Sequence, residues 1–202
     1  VATLIAEGSA QRQSLGNGIV LTHDVLEDWA LAREMERNWQ TLPELLKAAG
    51  EPLWWQRAVR LVGQIKLERG QLAEWQTLFT ALEADEDLDP AWAKLVLAAP
   101  LHSEKSAELL ELLTARLLDE EGKMLGALIE TVRVFETRIN QNIFTSPMLA
   151  DLPQAERFHT ASYFKVPVLN SWLAFLRWSL PRWSSWPDRH IPALVQLAEI
   201  WT

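Results

Sequence analysis

From Leu42 to Trp201, apolar side chains return at spacings of three and four residues, and the breaks between the runs are short. This feature restricts the fold more than any other. A 3.6-residue period gathers such side chains onto one helix face, and that face has to be buried against another element. Trp54, Ala58, Leu61, Val62 and Ile65 make one stripe, stopped near Gly70, and Leu72, Trp75, Leu78, Phe79 and Leu82 make the next. Leu109, Leu110, Leu113 and Leu117 follow a helix start at Ser103. Leu125, Leu128, Ile129, Val132 and Ile139 then stay in register between Lys123 and Asn140. Thr41-Leu42-Pro43-Glu44 has the residues of a helix start, and Gly50 followed by Pro52 those of its end.

Short connections between amphipathic helices make sequence neighbours antiparallel, and doublets such as Trp54-Trp55 and Leu109-Leu110 widen a stripe enough to face two partners. The pattern predicts a mainly α fold: an irregular antiparallel helix-pair array, HEAT-like or degenerate TPR-like, without a clean repeat period. Only residues 1–21 read as β. Leu4-Ile5-Ala6 and Ile19-Val20-Leu21 are expected to pair as a small N-terminal β-hairpin across a connection containing Gly16-Asn17-Gly18. After Gln141 prolines punctuate shorter helices, one from Ser171 to Leu180 and a last one from Pro192 to Trp201. No stop signal follows Trp201 and the chain opens on Val1, so it is expected to be a piece of something longer.

Composition narrows the function. The net charge is −8, whereas a general nucleic-acid binder uses a basic face to displace counterions, so nucleic acid is not an expected partner. There is no cysteine, hence no disulfide framework and no thiolate metal site. The strongest apolar stretch, Trp172 to Leu180, is short and contains Arg177, so neither a signal peptide nor a membrane span is expected, and the location is read as cytoplasmic. Asp85, Asp87 and Asp89 alternate like calcium ligands, but Pro90 stands where the loop needs Gly and Val96 where it needs Glu. His102, His159 and His190 lack a nearby second ligand, and no Gly-x-Ser-x-Gly elbow occurs. The sequence therefore predicts neither a catalytic constellation nor a metal site.

The stretch Gly18 to Arg33, GIVLTHDVLEDWALAR, changes from alternating to helical character at Thr22-His23-Asp24. Asp24 reads as an N-cap, and Glu27 and Asp28 face the positive end of the helix dipole. Val25, Trp29 and Ala32 mark the helix face expected to turn inward. His23 sits where an imidazole and free backbone N–H groups can meet an anion.

Thr22-His23-Asp24 with Val25 to Ala30 resembles the Met-His-Asp element of the winged-helix domain in STAND-type P-loop signalling ATPases, the NB-ARC and NACHT-like switch proteins. The match covers about the first fifth of the chain, with Thr22 in place of the usual first residue. The resemblance implies a wing closing onto a helix, with sensor repeats following. It assigns nucleotide sensing in the intact parent to His23, by contact with the phosphates of ADP, and a helix-starting role to Asp24. It also implies ATP or ADP with Mg as the parent's cofactor. The chain itself lacks a phosphate loop, since Gly122-Lys123 is followed by Met124, so no cofactor and no catalysis are expected of it. On this reading residues 1–38 are a wing plus helix, residues 39–202 the helical array, and the partner a protein or peptide trigger with self-assembly on activation.

Pro181 to His190 is dense in tryptophan and arginine. Trp178, Arg182, Trp183, Trp186 and Arg189 are candidate partner-binding residues, because these types dominate binding hot spots. The other reading of this segment is that the tryptophans pack between helices while the arginines cover them, since large aromatics are more often buried than displayed. Two functions remain open: the regulatory and sensor fragment of a nucleotide-switched ATPase, or a stand-alone helical scaffold that binds a protein.

Overall fold

The computed structural model describes residues 10–12, 19–21, 24–140, 146–149, 152–161 and 163–201. The fold is mainly α, an array of helix pairs with a small antiparallel hairpin at its N-terminal end. The chain forms two compact units, Val1–Ala99 and Pro100–Thr202.

In the first unit, β1 (Ala10–Arg12) pairs with β2 (Ile19–Leu21), Ala10 opposite Leu21 and Arg12 opposite Ile19. The expected partner strand, Leu4-Ile5-Ala6, lies outside the described residues. Pairing through Ala10–Arg12 leaves only residues 13–18 to connect the strands, and a shorter connection closes at lower entropic cost.

Five helices follow: α1 (Asp24–Arg37), α2 (Leu42–Ala49), α3 (Gln56–Glu68), α4 (Leu72–Ala84) and α5 (Ala91–Ala98). Helix α3 is central, packing against α1, α4 and α5. Its approach to α5 is close because Gly63 lacks a side chain; a Cβ there would lie 3.0 Å from the Ala99 Cβ. Each break has a local cause. Gly50 adopts φ 72° after α2, and its N–H donates back to the Leu46 and Lys47 carbonyls of the last turn. The Asp89 carboxylate accepts the Ala91 N–H at 2.8 Å, starting α5.

Two expected faces are corrected. In α1 the inward residues are Ala32 and Met35, while Val25 and Trp29 are exposed, Trp29 lying under the Arg33 guanidinium. The face is rotated because Asp28, one position before Trp29, turns inward to an ion pair with Arg57 of α3 at 3.0 Å. Trp54, expected in the α3 stripe, precedes that helix in the 3-10 turn Leu53–Trp55 and points outward. Within the first unit α1 packs along α3.

The second unit is built on α6 (Ser106–Val134), a helical run interrupted in the middle. Asp119 is extended, and Glu120, Glu121 and Gly122 are all left-handed, with φ of 49°, 57° and 77°. The run is thus two helical stretches meeting at a sharp kink, in keeping with the separate stripes of the sequence. The second stretch ends at Val134 instead of continuing to Asn140. Residues Thr137–Ile139 form β3, paired antiparallel with β4 (Lys165–Pro167), a ribbon that helical phase alone did not reveal. Glu136 carries the chain out of the helix. Its carbonyl oxygen accepts the Trp172 indole N–H at 2.6 Å and the Val168 N–H at 2.9 Å, and its carboxylate meets His102 Nε2 at 2.8 Å. Helices α7 (Gln154–Ala161), α8 (Leu169–Ser179) and α9 (Ile191–Trp201) complete the unit, with α8 and α9 packed on α6.

Candidate functional site

The N-terminal element can be followed along the backbone. Strand β2 ends at Leu21 and α1 begins at Asp24, so two residues separate ribbon from helix. Thr22 and His23 lie outside the described residues. Of the residues read as nucleotide-sensing, only the backbone of Asp24 is described, as the first residue of α1.

The tryptophan- and arginine-rich segment folds as two 3-10 turns, Leu180–Ser185 and Asp188–His190. Pro181 and Pro187 hold φ near the value such turns need, and the Trp186 N–H closes the first on the Trp183 carbonyl at 3.2 Å. The turns sort the five candidate residues by environment. Trp178 and Trp186 are only 4% and 5% exposed, their rings 5.6 Å apart and both within 6.2 Å of the Phe175 ring. The Trp178 indole also donates to Thr114 Oγ1 of α6 at 3.2 Å. Arg182 donates to the Trp178 carbonyl at 2.8 Å and pairs with Glu111. Arg189 donates to the Glu121 carbonyl at 2.6 Å and to the Glu121 carboxylate at 3.2 Å. Of the three tryptophans only Trp183 projects, 56% exposed, and Arg189 stays half exposed beside Glu121.

Arg189 and His190 therefore seat on the kink of α6. Gly122 and Gly126 make room there: a Cβ on Gly126 would stand 2.7 Å from His190 Cε1, and one on Gly122 3.1 Å from Pro187 Cγ. Backbone in the left-handed region is costly for glutamate, so Glu120 and Glu121 hold strain that these contacts offset.

A second surface was not anticipated. Leu53 and Trp54 are 75% and 68% exposed, side by side in the turn before α3. Below them Glu51, itself left-handed at φ 51°, accepts the Trp92 indole N–H at 2.5 Å and the Asp89 N–H at 2.8 Å. A cleft of about 100 Å³ lies between, bounded by Gln56 and Ala91. The signal in the sequence was Pro52 before an aromatic doublet: the proline fixes an extended approach, and the turn that follows throws one of the two rings outward.

Charged groups are concentrated elsewhere in the first unit. Lys66, 2% exposed, reaches Glu74 at 2.5 Å and Glu36 at 3.5 Å and lies over the Trp39 ring at 5.0 Å. Arg69 holds the same Glu36 at 2.9 Å, so the cluster ties α1, α3 and α4 together. At the rim, Lys47 donates to Asp85 at 2.8 Å. That hydrogen bond, reinforced by the Asp87 N–H, holds the Asp85 carboxyl below its ordinary pKa and raises that of Lys47. The acidic turn Asp85 to Asp89 is thus engaged in its own capping and in the Lys47 pair. Among the described residues no group of three His, Asp or Glu is placed to hold a metal ion. Among them, too, no helix is long and apolar enough to cross a membrane.

Together these features define a mainly α helix-pair array that carries exposed aromatic turns. No protein-family model matches the chain, and no curated protein matches it.

Proposed function

We propose that the chain is the regulatory and sensor part of a nucleotide-switched signalling ATPase of the STAND type, binding a protein or peptide trigger through its helical array. The observation that carries this reading is the passage from the β1–β2 ribbon into α1 within two residues, at Asp24, followed by successive helix pairs. That order is the one the family resemblance implies. His23 then senses ADP phosphates in the intact parent, where ATP or ADP with Mg is bound, and the fragment is not itself catalytic. A trigger opens such a switch only by binding the open state more tightly than the closed one. A cysteine-free, acidic chain suits a cytoplasmic setting, and self-assembly on activation follows by analogy.

The test uses the parent reading frame. The sequence upstream of Val1 is expected to encode a phosphate loop, and in the purified parent His23→Ala is expected to lower the ADP retained by about tenfold. The 202-residue chain alone is expected to show neither saturable nucleotide binding nor ATP hydrolysis. ATPase activity of the isolated chain, or unchanged ADP retention in the folded His23→Ala parent, overturns the assignment.

The exposure of Leu53 and Trp54 favours a second reading, a stand-alone protein-binding scaffold, since an exposed Trp beside a cleft suits recognition without any nucleotide. Absence of an upstream phosphate loop decides for that reading.

A further inference from the structure

Within the second unit a cleft of about 300 Å³ opens between the first turn of α6 and one face of α8. Asn170, Leu173, Ala174 and Arg177 reach it at the i, i+3, i+4, i+7 spacing of a single helix face. Its apolar lining is made by Leu173, Ala174, Trp178 and, from α6, Ala107. Three residues of the lining carry polar side chains whose groups are the Arg177 guanidinium, the Asn170 amide and the Ser106 hydroxyl. Among the described residues none of these three groups hydrogen-bonds or ion-pairs with another side chain or with the backbone. Arg182 also lines the cleft, but its charge is already met by Glu111.

An apolar pocket with a few unpaired polar groups gathered at one side is the usual form of a small-ligand site. We propose that this cleft binds a monoanionic carboxylate carrying a short aliphatic tail. The tail lies on Leu173, Ala174 and Trp178, and the carboxylate meets Arg177, with Asn170 and Ser106 as further donors. Guanidinium is a two-pronged donor matched to a carboxylate, and the positive end of the α6 dipole at Ser106 adds to the attraction. A phosphate dianion suits the site less. Only one guanidinium is unpaired, Glu111 stands beside the other, and the chain carries a net charge of −8. The assignment stands independently of any nucleotide switch in a parent protein.

The experiment titrates the full chain with hexanoate, with hexanamide as the uncharged isostere and acetate as the tailless anion, read by calorimetry and ligand-observed NMR. Hexanoate is expected to bind saturably with a Kd of about 1 mM or lower, and the two controls at least about tenfold more weakly. Arg177 is exposed and holds no partner among the described residues, so Arg177→Gln is expected to keep the melting temperature while weakening hexanoate about tenfold. Ala174→Leu, which adds bulk to the apolar lining, is expected to abolish binding with the arginine in place. Equal binding of hexanoate and hexanamide, of hexanoate and acetate, or undiminished binding by folded Arg177→Gln overturns the proposal, as does the absence of saturable binding by the native chain.

Discussion

Three tryptophans within nine positions of one another, Trp178, Trp183 and Trp186, illustrate how little residue type says about what a side chain does. Trp178 and Trp186 form a buried aromatic cluster with Phe175, whereas Trp183 stands in solvent on the same turn. Trp186→Ala is expected to destabilise the fold by about 3–5 kcal/mol in denaturant titrations, because it empties a filled core position. Trp183→Ala is expected to cost less than about 1 kcal/mol, as exposed truncations do. Lys47 and Asp85 allow a test in pH. Folding lowers the Asp85 pKa, so that part of the pair's stabilisation is complete above the unfolded value of about 3.9 and is lost as pH falls through the folded one. Folding raises the Lys47 pKa, so its part is complete below about 10.4 and is lost as pH rises through the folded value. Lys47→Met is accordingly expected to lower the melting temperature slightly between those limits and to leave it unchanged well below pH 3. Of this residue-scale detail, the sequence offered the residue types of the aromatic cluster but not their sorting. That depends on contacts such as Trp178 with Thr114, 64 positions away.

At the scale of elements, helix starts and stops were mostly legible. The runs at Leu42, Leu72 and Ile191 stand where stripe, proline and glycine place them, because caps and left-handed glycines act over three or four residues. The α6 kink was visible as a gap between two stripes, although its three left-handed residues were not. Its backbone makes a prediction whose sign is diagnostic. Glu120→Gly is expected to raise stability by up to about 1 kcal/mol by relieving left-handed strain, whereas the same change inside an unbroken helix costs about that much. Thermal melts of Glu120→Gly beside Ala115→Gly, at an exposed position of the flanking helical stretch, provide the comparison. The β3–β4 ribbon escaped notice because each strand has three residues and Ile139 happens to extend a helical phase. What breaks that phase is Glu136, whose carbonyl is held by Trp172 from 36 positions away.

For the whole molecule, length, charge and periodicity were enough to anticipate a mainly α helix-pair array, and the charge also yields a binding prediction. At a net charge of −8, a duplex oligonucleotide is expected to show no saturable, salt-sensitive association in fluorescence anisotropy; such binding would require a basic face hidden within the acidic total. Helical class and most helix termini follow from local chemistry, from the 3.6-residue period and from the capping and turn residues beside it, and these need no knowledge of distant neighbours. Folding in three dimensions alone determines which faces turn inward, which tryptophans are covered, how buried Lys66 finds Glu36, and where Arg177 is left unpaired beside an apolar cleft. Each of these depends on groups brought together from different helices, and burial and charge pairing are properties of that meeting.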